Sequence, residues 1–265
     1  METLAHFWSI LTWRTVVVVA LSLGATRLCL ANSITAELPT TLIGIAVVFP
    51  IVFSINSAYR RREEAIKSLA SIKANIAALG FMSRDWTPKT SGKTDPVIKE
   101  LAPDLFGSIK ESLANFTQEN FNKVYIVLSK WSAHHEVLRE DGISGSEISR
   151  ANQYLRTIMT DFENMRNIAR YRTPLNLRAY SKVFLHVIPI TFAPHFAFMM
   201  QDGGSLYSGY VVAFFYSLVF VCLDVIQEQL ENPFDQNGID DVRLDVTERY
   251  TPVLSMEEDL KIENA

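Results

Sequence analysis

Cysteine is scarce in this 265-residue chain: there are two, Cys29 and Cys222, and both lie in apolar segments. Two thiols so placed make neither a disulfide framework nor metal-ligand spacing, so they read as inert packing. No glycine-rich phosphate loop, His/Cys metal cluster or Ser-His-Asp arrangement can be found, which argues against an enzyme. Cationic excess is missing as well. The formal net charge is −4, and no nucleic-acid partner is expected.

The most informative absence is local. From Leu38 to Tyr59 no residue carries a charge, and then Arg60, Arg61 and Arg62 arrive together. About 20 uncharged residues suffice to cross a bilayer core as a helix, and an abrupt basic end marks the cytoplasmic side. Within the run Ile45, Phe49 and Phe53 recur every four positions, which puts them on one helical face. Pro50 interrupts the run, and Ser54, Asn56 and Ser57 bring polar groups near its inner end. An anchor has no need of these. The stretch is expected to line an ion path, with Ile45, Phe49 and Phe53 as its narrow part and Ser54, Asn56, Ser57 and Arg60 at the mouth.

Three further apolar stretches flank it, at about 7–30, 183–201 and 206–223. The first has no basic region before its core and carries Arg14 inside it, so a retained helix is favoured over a signal peptide. Phe7, Trp8 and Trp13 resemble an interfacial belt, with Arg14 snorkelling or paired. The four stretches form two pairs separated by a polar segment of more than a hundred residues. Of the 25 Lys and Arg, 20 lie between Arg60 and Lys182, which places that segment and both termini inside. The expectation is an all-α membrane protein with four transmembrane helices in two hairpins and a helical cytosolic domain inserted between helices 2 and 3. Its divisions are 1–59, 60–182, 183–228 and a tail at 229–265.

In the middle segment, helix 2 continues amphipathically through Leu79, residues 81–96 read as a loop, and helices follow at about 97–116, 118–140 and 145–171. His134 and His135 are expected on a solvated surface. His186 and His195, in the third stretch, are read without a neighbouring carboxylate.

Three blocks carry a resemblance: Trp13-Arg14 at the head of the first helix, FPIVFSINSAYRRREEAIKSL in the second, and ENPFDQNGIDDVRLD after the fourth. In kind, order and spacing they resemble the bestrophins, pentameric channels mainly for anions. The resemblance implies a homopentamer conducting chloride or another small anion through a neck at Ile45, Phe49 and Phe53. It also implies a cytosolic aperture near Ile158, and a calcium clasp at Gln229, Asn232, Asn237, Asp240 and Asp241. Two departures weaken it. Arg61-Arg62-Glu63-Glu64 stands where the family has aromatics, and Asn237 where calcium-gated members have aspartate. Calcium needs six to eight oxygens, and few carboxylates are present to supply them. A cation-permeable relative and a non-conducting membrane scaffold remain the alternatives.

Overall fold

The structure, a computed structural model, describes residues 11–87, 95–171, 174–202, 205, 207–236, 240–246 and 250. It does not describe the side chains of Thr40, Leu42, Ile43, Ala46, Val47, Leu175 and Asp202. Among the described residues there are eight helices and no strand: α1 Trp13–Ala31, α2 Thr40–Asp85, α3 Pro96–Ala114, α4 Gln118–Glu140, α5 Gly145–Arg170, α6 Leu175–Thr191, α7 Ala193–Asp202 and α8 Ser208–Glu231. They belong to two compact units, residues 1–60 with 172–231, and residues 61–171 with 232–265.

In the first unit α1 packs against α6, α7 and α8. Its buried positions are Thr15, Val18, Ser22 and Thr26. Spacings of three and four put these small residues on one face, where they permit close helix approach. Ser22 donates to the Pro189 carbonyl at 2.8 Å. Thr26 bonds back to the Ser22 carbonyl at 2.8 Å. The third apolar stretch starts earlier than expected, at Leu175, and divides at Phe192 into α6 and α7. Pro194 has no N–H to offer the Ile190 carbonyl, so the helix restarts there, with proline in the first turn where it is tolerated. Leu185, Ile188, Phe192, Phe196, Ala213 and Phe220 form an apolar cluster that Ile51 of α2 joins. A Cβ added at Gly209 would collide with the Phe196 carbonyl and the Met200 side chain. Only hydrogen lets α7 and α8 meet there. Among the described residues, three segments are long and apolar enough to cross a membrane: Trp13–Ala31, Asn176–Gln201 and Ser208–Glu231.

In the second unit helices start at side-chain caps. Asp95 caps α3, accepting from Val97 N at 2.9 Å with Pro96 at the first helical position. Thr117 caps α4 and Ser144 caps α5. Such caps satisfy amides that have no partner within the helix. Gly142, at φ 106°, closes the turn after α4 in a region that favours glycine. On α5, Ala151, Leu155, Ile158, Phe162 and Met165 share the buried stripe. With Ile72, Ile76, Leu105, Ile109, Leu128 and Trp131 they make one core. Residues 81–85, expected in a loop, are instead the last turn of α2. Met82 prolongs its buried apolar side, and the helix ends at Asp85.

The tail also belongs to this core. Phe234 is fully enclosed, and Val242, Leu244 and Val246 alternate inward. A period of two is that of extended chain. Val242 N bonds the Pro233 carbonyl at 2.8 Å, Tyr250 packs on Phe106, and Lys110 pairs with Asp245.

Candidate functional site

The functional candidates on α2 divide by helical face. Ile51, Ser54 and Ala58 are buried, at the spacing of three and four that defines one side of a helix. The other side carries Ile45, Phe49 and Phe53, which remain 59%, 61% and 56% exposed in the single chain. Val48 and Val52 widen this apolar stripe. Phe49 and Phe53 meet edge to face, with centroids 4.7 Å apart and an interplanar angle of 74°. One turn on, the same side presents Asn56, Ser57 and Arg60, all exposed.

Ser54 does not belong with them. It is buried, and its Oγ has no hydrogen-bond partner among the described residues. A helical step of 100° separates it from Phe53 and returns it to the packed face.

Ile158 is likewise corrected. It is 0% exposed inside the α2–α5 core. Assembly of further copies only adds burial, so this side chain cannot ring an aperture.

Of the expected calcium ligands, Asn237 lies outside the described residues. Gln229 sits in the last turns of α8. Asn232 is half-buried and its Oδ1 has no hydrogen-bond partner among the described residues. Asp240 is exposed, its backbone carbonyl accepting from Arg62 Nε, and Asp241 is half-buried. Among the described residues no group of three His, Cys, Asp or Glu is arranged to hold a metal ion.

Sequence reasoning missed a charged network at the ends of α1, α6 and α8. Arg14 Nη1 donates to Glu228 Oε2 at 2.8 Å, and Lys182 Nζ to Glu228 Oε1 at 3.4 Å. One turn along α6, His186 donates from Nδ1 to the Lys182 carbonyl at 2.7 Å and places Nε2 3.7 Å from Asp224 Oδ2. Nearby, Arg178 grips Glu231 with two nitrogens, at 3.0 and 2.9 Å. The carboxylates lie tens of residues from their α6 partners, so the only signal was a cluster of acids after the fourth apolar stretch.

His134 and His135 are buried rather than solvated. His134 Nε2 lies 2.6 Å from Asp95 Oδ2, which also accepts from Ser83 Oγ at 2.7 Å. Burial alone would raise the Asp95 pKa. The bonds from His134 and Ser83, the His134 charge and the Val97 amide override it and hold the group at about 2. His135 faces Asn152 at 2.8 Å, and burial lowers its pKa despite that bond. These contacts join helices of the second unit.

No family model matches the chain, and no curated protein matches it either. Solved structures do. A bacterial bestrophin homologue from Klebsiella pneumoniae has a TM-score of 0.74 at 17% identity, over 91% of this chain and 96% of the other. A variant of that homologue with one tryptophan changed to alanine gives 0.75 at 15% identity, over 91% and 95%. Another, with one aspartate changed to alanine, gives 0.74 at 18% identity, over 91% and 96%. The fold is therefore that of the bacterial bestrophin homologues, across nearly the whole of both chains.

Proposed function

We propose that the chain is a bestrophin-like ion channel, a homopentamer whose pore is lined by the open face of α2. The observation that carries this reading is the stripe Ile45, Phe49 and Phe53, left open while the reverse face of the same helix is packed. The stripe continues into Asn56, Ser57 and Arg60, as a face turned to water does. One copy cannot enclose a passage, whereas closed cyclic assembly of identical chains can. Rings of Ile45, Phe49 and Phe53 then form a hydrophobic neck, of the kind that gates by dewetting.

In this reading the uncharged part of α2 is the fourth membrane span, beside Trp13–Ala31, Asn176–Gln201 and Ser208–Glu231. The arginine-rich second unit and both termini lie in the cytoplasm. Chloride or another small anion is the favoured ion. The edge of an aromatic ring is electropositive, and the Arg60 ring at the inner mouth raises local anion concentration. Reversal potentials of the purified protein in planar bilayers under asymmetric potassium chloride test this. A shift toward the chloride equilibrium potential supports the anion reading. A shift toward the potassium potential makes it a cation channel, and absence of any current leaves a scaffold.

A further inference from the structure

We propose that the cleft beside Trp13 binds the phosphate-bearing headgroup of an anionic glycerophospholipid. The cleft is open, has a volume of about 410 Å³, and is lined by Arg14, Lys182 and His186 together with Trp13, Val17 and Val183. Its chemistry is divided as a lipid's is, cationic nitrogens at one part and apolar walls at the other. Trp13 also lines a second cleft, of about 550 Å³, which is bounded by Val16, Val19, Leu23, Phe214 and Leu218. That aliphatic bed suits an acyl chain, with the indole at the join where amphipathic rings favour the headgroup level.

Charge fixes the class of ligand. Arg14 and Lys182 are gathered by the one carboxylate of Glu228, which leaves one positive charge in surplus. His186 and Asp224 face each other, 3.7 Å apart. Glu228 and Asp224 do not line the cleft; only the basic members do. One surplus cation complements one phosphodiester, and basic groups at a membrane surface favour anionic lipid. Free phosphate shares that chemistry but has no use for the apolar walls, so the lipid is the assigned source.

The inference rests on the reading that the first unit lies in a bilayer, and the test separates the two. Trp13 fluorescence, taken as the difference between the unaltered protein and W13F, is measured in nanodiscs containing chain-brominated phosphatidylglycerol or chain-brominated phosphatidylcholine. A preference of about fivefold for quenching by the glycerol lipid is expected. It should fall to near parity in K182Q and in R14Q, and survive millimolar inorganic phosphate. Equal quenching by both lipids in the unaltered protein overturns the headgroup site while keeping the bilayer. Preference retained in both variants overturns it too, and displacement by phosphate overturns the lipid as source. No quenching by either lipid removes the bilayer reading itself.

Discussion

His134 Nε2 and Asp95 Oδ2, 39 residues apart in the chain, lie 2.6 Å from each other inside the second unit. Asp95 also caps α3 and accepts from Ser83, so one carboxylate joins the end of α2, the start of α3 and the middle of α4.

This junction predicts the acid limit of stability. The Asp95 pKa is depressed from 3.8 to about 2. A group depressed on folding stabilises above its unfolded value, and that contribution disappears as pH falls toward the folded value. It amounts to about 2 kcal/mol, lost between roughly pH 5 and 2. His135, whose pKa is also lowered, adds a loss beginning below its ordinary value of 6.5. Thermal melting of the detergent-solubilised protein across pH should show both losses. D95N should lower Tm near neutrality and flatten the more acidic step.

Ile158 should behave as a core residue. I158A is expected to destabilise by about 2–5 kcal/mol, as truncation of an enclosed isoleucine does, and to leave ion selectivity unchanged. Denaturant unfolding and reversal potentials of the same preparation check the two halves.

Gly209 should tolerate no side chain. G209A forces a Cβ into the Phe196 carbonyl and Met200, which requires α7 and α8 to separate. A cost of about 1–3 kcal/mol follows from overpacking of this size. The measurement is thermal stability by fluorescence-detected size exclusion, with A213G, another buried small position on α8, as the contrast expected to be milder.

Arg178 and Glu231 form a two-nitrogen pair whose acid is buried and whose base is about one-third exposed. R178K keeps the charge but loses the planar fork, so a conservative exchange should still cost about 1 kcal/mol. A double-mutant cycle with E231Q should return coupling of the same order.

Much of this was legible in the sequence where the signal was local. The uncharged run, its arginine end, the spacing of Ile45, Phe49 and Phe53 and the Asn232-Pro233-Phe234 block all sit within a few turns of chain. The resemblance drawn from them agrees with the fold found. Ser54 and Ile158 were misplaced although periodicity held the answer. Ser54 lies three residues after Ile51 and four before Ala58, and Ile158 falls on the stripe Ala151, Leu155, Phe162, Met165. What the sequence concealed was pairing at a distance: Asp95 with His134, Glu228 with Arg14 and Lys182, Asp224 with His186. Each joins helices brought together only by tertiary packing, so no spacing rule announces it.

The most direct measurement is single-channel conductance of F49A and F53A beside F215A, which truncates an exposed phenylalanine on α8. If the α2 stripe is the neck, both α2 variants should conduct about tenfold more than the unaltered protein, equivalent to roughly 1.4 kcal/mol off the barrier. F215A should conduct as the unaltered protein does. Unaltered conductance in F49A and F53A, or an equal rise in F215A, would contradict a pore lined by this face of α2.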